Sequence, residues 1–305
     1  MSAKAGVPSL GTAEPVLDCA CIVGESLIWD DRAGLLVWVD MLGHHIHMFD
    51  PQSCAHQRFD TPGMVTSIGL RQDGGYVVGL ERRVALWSPG KGFVTLAEPE
   101  PDLPQNRLNE GVVGPDGCFW VGTMQNNVDA QGAPRDQTEA TGQVWRIWPD
   151  GRVERMLEAG FWLTNTIAWM GGRVVIGDTG QNTLYSFAQD AGGRLRDRRV
   201  LLQGYAPGLP DGSCMDAQDR LWNCRVVGGA QVLCLGADGA AVQTVATPCS
   251  WPTSCVFGGP GLDRLYVASA RFTMSQAHLA AAPWEGGLFG LTLPGIRGRL
   301  HHRFG

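Results

Sequence analysis

Short apolar runs separated by glycine-rich turns recur along the chain, whereas long helical periodicity is scarce. Each repeat has an apolar strand, a turn with Asp or Gly, and a second apolar strand, as in SLIWDDRAGLLVWVD (26–40) and TIAWMGGRVVIGDT (166–179). A third strand follows each pair. The turns are marked, 40 to 55 residues apart, by Gly34, Gly74, Gly117, Gly172, Asp219 and Asp263.

Six units of this length with about four strands each are typical of β-propeller blades. The pattern therefore predicts an all-β, six-bladed β-propeller in which residues 14–305 form a single domain. Residues 15–21 (PVLDCAC) should close the ring by pairing with the last blade, and residues 1–13 should be disordered or loosely attached. The polar insertion QNNVDAQGAPRDQTEA (125–140) accounts for the longest spacing and predicts a surface loop, of a kind that can cover a site.

Composition narrows the class of protein. The chain has 305 residues, 44% hydrophobic and 18% charged, with 42 glycines that agree with many tight turns. A net charge of −6 without a run of Lys or Arg argues against nucleic acid. No stretch approaches the roughly 20 apolar residues of a membrane span, and the N-terminus lacks the apolar core of a signal peptide. We expect no membrane contact and a cytoplasmic location.

Two motifs outside the six ring positions could be taken for metal sites. The nine cysteines include Cys19 and Cys21 in CAC, which is not the C-x-x-C of zinc or redox centres, so we expect buried free thiols in a reducing compartment. The HHIH segment (His44, His45, His47) should lie on the outer part of the first blade. Because adjacent residues on a strand point to opposite faces, we expect solvated or packed histidines there.

One polar residue stands near the start of the first strand of every unit. The innermost strand of each propeller blade lines the central channel, so these side chains should face one another. Carboxylate and amide oxygens suit Ca²⁺, Mg²⁺ or Mn²⁺, and Zn²⁺ and Fe²⁺ remain open. Such residues also commonly satisfy backbone groups or ordered water, but six coincident positions favour a site. They are Glu25, Thr66, Asn109, Asn165, Asp211 and Ser254.

The segments GESLIWD, RLNEGVVGPDGCFWVGTM, TNTIAW, GLPDGSCMDAQDRLWNC and WPTSCVFGG resemble the motifs of the SMP-30/gluconolactonase/regucalcin family, over residues of about 15 to 295. The resemblance implies a propeller with one divalent metal cation in its channel that hydrolyses an aldonolactone to the aldonic acid. It implies Glu25, Asn165 and Asp211 as metal ligands. It also implies Asp211 as general base. Because a carboxylate beside the metal can take the proton from the attacking water, Glu25 is the second choice for this role.

The resemblance further implies that Arg107, Asn109 and the carboxylate of Glu110 contact the substrate. Two positions depart from the family pattern: Glu110 stands where Asp is usual, and Thr166 follows Asn165 where Gly is usual. Neither departure removes a ligand, so both should tune substrate or metal preference.

Three functions remain open from the sequence. The first is a sugar lactonase, a hydrolase of carboxylic esters in carbohydrate metabolism whose partner is a small-molecule sugar lactone, acting as a monomer or weak homo-oligomer. The second is a non-catalytic calcium-binding regulatory propeller, against which the retention of Arg107 and Asn109 argues. The third is a paraoxonase-like esterase or phosphotriesterase, which usually carries histidines at its site, and none falls among the six ring positions.

Overall fold

Six sheets are arranged as the blades of a propeller in the computed structural model, which describes residues 6–305 except for the side chains of residues 158 and 159. The prediction of an all-β, six-bladed β-propeller is confirmed. Blades one to three are β3 (Gly24–Asp30), β4 (Leu35–Asp40), β5 (His45–Phe49) and β6 (His56–Asp60); β7 (Val65–Leu70), β8 (Tyr76–Leu80), β9 (Arg83–Ser88) and β10 (Gly92–Ala97); and β11 (Asn106–Val113), β12 (Phe119–Gln125), β13 (Gly142–Ile147) and β14 (Val153–Phe161).

The other three blades include the two N-terminal strands. They are β15 (Thr164–Met170), β16 (Arg173–Asp178), β17 (Thr183–Gln189) and β18 (Leu195–Gln203); β19 (Leu209–Met215), β20 (Leu221–Val226), β21 (Gln231–Leu235) and β22 (Ala241–Ala246) with β1 (Ser9–Thr12); and β23 (Pro252–Gly258), β24 (Arg264–Ser269) and β25 (Leu288–Thr292) with β2 (Glu14–Leu17). A 3₁₀ turn (Thr179–Gln181) and the six-residue helix α1 (Gln276–Ala281) interrupt the strands. Within residues 6–305, no helix is both long and apolar enough to cross a bilayer.

The predicted turn markers all fall between the first and second strands of their blades. Gly34, Gly117 and Asp219 have φ of 70°, 71° and 61°, the left-handed region that favours glycine and tolerates aspartate. These residues therefore reverse the chain at the end of each innermost strand, which fixes the start of that strand at the opposite end of the channel.

Hydrophobic side chains fill the space between every pair of neighbouring blades. Trp120 of blade three packs edge to face on Trp169 of blade four, with ring centroids 5.4 Å apart. Trp222 of blade five packs on Phe257 of blade six in the same way at 5.5 Å. Because each sheet is covered on both faces, its strands read as continuous apolar runs rather than as alternating ones.

The N-terminal strands join the two ends of the chain. β2 pairs antiparallel with β25, with Pro15 opposite Phe289, so the sixth blade contains strands from both ends of the ring, as expected for residues 15–21. β1 runs parallel to β22, and the Thr244 amide donates to the carbonyl of Pro8 at 2.9 Å. The expectation of a loose segment over residues 1–13 is therefore wrong for residues 8–12, because they cover the open edge of blade five. Residues 1–5 lie outside the described part.

The C-terminal residues 296–305 cross the end of the channel where the innermost strands finish. Gly298 bridges to Asp216 of blade five, and the Phe304 amide donates to Leu70 of blade two at 2.8 Å. Arg303 Nη2 lies 2.6 Å from an Asp31 carboxylate oxygen of blade one. This segment encloses an internal cavity of about 40 Å³ and leaves the starts of the innermost strands as the open end.

Candidate metal centre and active site

Each of the six innermost strands carries a β-bulge near its polar ring residue. A bulge places two residues opposite one on the neighbouring strand and turns the side chains at that point, which is common beside active sites. The register shifts lie between Glu25 and Ile28, Val65 and Ser67, Leu108 and Gly111, Asn165 and Ile167, Pro210 and Ser213, and Pro252 and Ser254. The geometry of each bulge therefore decides whether its ring residue faces the channel.

Thr166, in the bulge after Asn165, adopts a conformation that is rare for its type. Its φ of 43° lies in the left-handed region, where a β-branched residue is strained by about 1–3 kcal/mol. Its hydroxyl donates to the Asp211 carbonyl, lies 2.8 Å from Ser213 Oγ and accepts from Asn223 Nδ2 at 3.2 Å. The departure from the family's glycine therefore ties the Asn165 bulge to the strand that carries Asp211.

A cavity of about 280 Å³ opens at the start of the innermost strands. Five of the predicted site residues line it: Glu25, Arg107, Asn109, Asn165 and Asp211. The other two ring positions do not line it, because they bond to the backbone. Thr66 Oγ1 donates to the carbonyl of Gly79 at 3.4 Å, and Ser254 Oγ accepts from the amide of Leu27 at 3.0 Å.

The Glu25 and Asp211 carboxyl groups of the cavity lie close together, and no arginine or lysine forms an ion pair with either of them among the described residues. Glu25 Oε2 is buried without a hydrogen-bond partner. Burial raises the pKa of Glu25 well above its usual value, and the charges of Asp211 and Glu110 raise it further. Burial also raises the pKa of Asp211, followed by the charge of Glu110. Because an unpaired buried carboxylate is costly, a cation in this cavity would offset a real free-energy penalty.

Asn165 completes a set of oxygen ligands. Its amide group contacts an Asp211 carboxylate oxygen directly and lies 3.4 Å from Thr179 Oγ1. Asn165 Oδ1 accepts from the Thr166 amide at 3.1 Å in the metal-free protein. Half a turn of the amide would exchange this bond and direct the Asn165 oxygen to the same point as the Asp211 oxygen. Glu25, Asn165 and Asp211 therefore fit a divalent cation with positions left open for water or substrate.

Arg107 is a buried cation held in one orientation beside these ligands. It is 3% exposed and donates to Leu108 O at 2.9 Å, to Asn109 Oδ1 at 2.7 Å and to Asn127 Oδ1 at 2.8 Å. Burial lowers the pKa of Arg107 to about 10, so the side chain stays charged at neutral pH. Asn109 in turn donates to the carbonyl of Thr164 at 2.8 Å. The predicted 125–140 loop thus reaches the site through Asn127.

Glu110 is not brought to the cavity surface with Arg107 and Asn109. The bulge of β11 turns it toward the internal cavity at the closed end, where it lies with Ser254 and His301. It is 8% exposed, and burial raises its pKa to about 8. Its influence on the Glu25 and Asp211 carboxyl groups is therefore electrostatic, through the floor of the site.

An apolar rim around the open end was missed from the sequence. It is formed by Met41, Leu42, Leu163, Val226, Val227, Trp251 and Phe272. Val226 ends β20, and the other six residues lie in loops between strands, which vary in length and lack the repeat pattern. Part of the rim could have been predicted from a second set of equivalent positions, the residue directly after the second strand of each blade. This set includes Met41 and Val227.

Comparison with known proteins identifies the family. A model described as SMP-30/Gluconolactonase/LRE-like region matches residues 23–271. Regucalcin of Xenopus laevis is 31% identical, covering 90% of this chain and 92% of its own. The 6-deoxy-6-sulfogluconolactonase of Pseudomonas putida is 31% identical, covering 88% and 90%.

A solved structure supports the same fold. The calcium-binding protein regucalcin from Agrobacterium tumefaciens superposes with a TM-score of 0.87 at 24% identity, covering 98% of this chain and 100% of its own. Six blades, the polar ring and the matched motifs therefore agree with one another. The chain belongs to the SMP-30/gluconolactonase/LRE-like family.

Proposed function

We propose that this protein is a metal-dependent lactonase that hydrolyses an aldonolactone, of the glucono-, xylono- or arabinonolactone class, to the aldonic acid. The observation that carries the proposal is one cavity in which the buried Glu25 and Asp211 carboxyl groups lie with the fixed Arg107–Asn109 pair. Relatives named gluconolactonase or 6-deoxy-6-sulfogluconolactonase support lactone hydrolysis in general terms.

Three side chains would hold the cation. A divalent ion bound by Glu25, Asn165 and Asp211 would supply Lewis-acid stabilisation of the negative charge that develops on the lactone carbonyl oxygen. Ca²⁺, Zn²⁺, Mn²⁺, Mg²⁺ and Fe²⁺ all remain candidates for an all-oxygen site.

Asp211 is our choice of general base. Its backbone carbonyl accepts from Asn223 Nδ2 at 2.9 Å and from the Thr166 hydroxyl, so the residue is anchored while its carboxylate faces the cavity. A carboxylate so placed can take a proton from the attacking water. Water then adds to the carbonyl carbon, the ring C–O bond breaks, and the leaving oxygen takes up a proton to give the open hydroxy acid. Glu25 is the second choice for this role.

Arg107 and Asn109 are assigned to substrate positioning. The buried guanidinium already donates to Asn109 and Asn127, so both side chains are held ready for sugar hydroxyls or the ring oxygen. This arrangement separates the proposal from a non-catalytic calcium-binding regulatory propeller, which has no need of a buried arginine beside its ion. Among the described residues, no histidine lines this cavity, which disfavours a paraoxonase-like esterase or phosphotriesterase.

Acid release from a panel of aldonolactones tests the proposal, measured with each of the five cations after treatment with a chelator. Wild-type protein should exceed the spontaneous rate, and Asp211→Asn should lower the metal-dependent rate by about 10²–10⁴-fold, the usual contribution of a general base. Thr66→Ala, at a ring position outside the cavity, should keep the rate. Equal rates for wild type and Asp211→Asn with every lactone and cation, together with retained calcium binding, would favour the regulatory propeller.

A further inference from the structure

A second cluster of metal-ligating side chains lies at the seam between blades six and one. Cys21, Asp40 and His47 each offer one ligand atom, and the three atoms lie within 4.8 Å of one another. The side chains are 0%, 5% and 2% exposed. The sequence-based expectation was of packed thiols in CAC and of solvated or packed histidines in HHIH. The fold instead brings one member of each motif together.

The distances in the cluster suit a tetrahedral zinc-type ion. Cys21 Sγ lies 3.9 Å from His47 Nε2. Zinc bonds of about 2.3 Å to sulfur and about 2.0–2.1 Å to nitrogen place two such ligands about 3.6 Å apart at the tetrahedral angle. Asp40 already accepts three backbone N–H bonds at 3.0–3.1 Å, which hold its carboxylate in place as is usual for ligating carboxylates.

Neighbouring rings fix the orientation of the imidazole. His47 Nδ1 lies 3.0 Å from His56 Nε2, and one of these nitrogens must donate. When His47 donates, its Nε2 carries a free lone pair directed at Cys21, which is the arrangement of metal-bound histidines. Trp38 stacks on His47 with centroids 4.9 Å apart and donates from its indole to Cys21 Sγ at 3.5 Å.

The fourth blade shows that the fold does not require a thiol and an imidazole at the positions of Cys21 and His47. There, Asp178 accepts two backbone N–H bonds from the preceding loop at 3.2 Å, as Asp40 does in blade one. The two positions that correspond to the thiol and the imidazole are occupied by Phe161 and Tyr185, whose rings pack with centroids 6.3 Å apart. An apolar aromatic pair thus fills the equivalent space.

We propose that Cys21, His47 and Asp40 bind a borderline-soft divalent cation of the zinc type. Cys21 Sγ and His47 Nε2 supply the soft ligands, and the Asp40 carboxylate supplies an oxygen. Thiolate and imidazole ligands distinguish this site from the all-oxygen site in the channel. Residues 19–21 connect β2 of the sixth blade to β3 of the first, whereas Asp40 and His47 lie on β4 and β5. A bound ion would therefore fasten the closure of the ring.

Cobalt substitution tests this site without any lactone. Reduced, metal-stripped full-length protein is titrated with Co²⁺, and thiolate-to-cobalt charge transfer is followed in the near ultraviolet, where oxygen ligands give no such band. All samples carry Cys54→Ser, because this cysteine is exposed. The band should appear in the otherwise wild-type protein and in Glu25→Gln/Asp211→Asn. It should be lost in Cys21→Ser and in His47→Ala.

Zinc content and thermal unfolding provide the second readout. Glu25→Gln/Asp211→Asn should retain one equivalent of Zn²⁺, which should raise its unfolding midpoint. The same variant with Cys21→Ser added should retain none and should show no such rise. His45→Ala, on the same strand but paired with Asp60 at the surface, is the matched control and should behave as wild type. No charge-transfer band in the wild-type sequence overturns the proposal even if a variant fails to fold. A band that survives both Cys21→Ser and His47→Ala also overturns it, because other thiols then bind the ion.

Discussion

Replacing Glu25 by glutamine should stabilise the metal-free protein at neutral pH while weakening cation binding. The reason is the buried Oε2 atom without a partner and the pKa of Glu25, raised well above its usual value by burial and by the charges of Asp211 and Glu110. Folding of the metal-free protein therefore favours the protonated form of Glu25, whereas the unfolded chain releases that proton near its usual pKa. Glutamine has the same shape and needs no proton.

The size of the gain follows from the proton balance. An unfolded glutamic acid has a pKa of 4.5, and holding its proton at pH 7 costs at most about 3.4 kcal/mol, at about 1.4 kcal/mol per pH unit. Because part of Glu25 faces the open cavity, we expect roughly 1–3 kcal/mol. The folded state binds the additional proton, so wild-type stability falls as pH rises above 4.5. The advantage of Glu25→Gln is therefore small at pH 5 and grows as pH rises toward neutrality.

Urea unfolding followed by tryptophan fluorescence measures this effect, in chelator, from pH 5 to pH 8. Adding Ca²⁺ or Mn²⁺ at 100 times its dissociation constant should then stabilise wild type by about 2.7 kcal/mol and the variant by less. The order of stability of the two proteins should thus reverse when the ion is added.

Glu285, a second buried carboxylate, is the control, and its replacement by glutamine should change the unfolding free energy in the opposite direction. Glu285 is 2% exposed and accepts from Ser250 N at 2.9 Å and from Ser250 Oγ at 2.6 Å. Glu285→Gln should destabilise by about 1–3 kcal/mol, because it removes a charged acceptor that is fully used. If Glu25→Gln destabilises the metal-free protein by a similar amount at every pH, Glu25 stabilises the fold through an ordinary contact and the reasoning about the site is refuted.

Three further substitutions examine the surroundings of the site. Thr166→Val keeps the volume but removes a hydroxyl that bonds Asp211, Ser213 and Asn223; it should lower the unfolding free energy by about 1–3 kcal/mol, and unchanged urea midpoints would contradict this. Arg107→Lys should lower kcat/KM by about 10- to 100-fold at unchanged metal stoichiometry, because an ammonium cannot reproduce the forked donors. Trp251→Ala, on the apolar rim, should raise KM more for alkyl-substituted lactones than for fully hydroxylated ones, and equal changes would remove the rim from substrate selection.

The repeat made the fold and much of the site predictable. Spacing of apolar strands gave six blades, and counting within each blade located Glu25, Asn165 and Asp211 in one cavity. The same counting could not separate these from Thr66 and Ser254, which bond to the backbone instead. The difference lies in how each bulge turns its side chain, and strand pairing sets that geometry rather than residue type alone.

Contacts made by segments outside the six repeats could not be predicted from the sequence, for a different physical reason. The Cys21–His47 contact exists only because ring closure brings a connecting segment against the second and third strands of blade one. The pairing of β1 with β22 likewise depends on a free sheet edge, and the four exposed residues of β1 (SLGT) carry no hydrophobic pattern that would predict it. Contacts of this kind are set by the assembled ring and not by local pattern.

The pairing of β2 with β25 also has a consequence for biosynthesis. Leu17 emerges from the ribosome early, but its partner Leu288 follows about 270 residues later. At about 5–20 residues per second, β2 waits roughly 15–55 s before the last blade can be completed. During that time the nascent chain holds finished blades in an open arc with exposed edges. We therefore expect the yield of native protein to depend on translation speed and on chaperones that shield those edges.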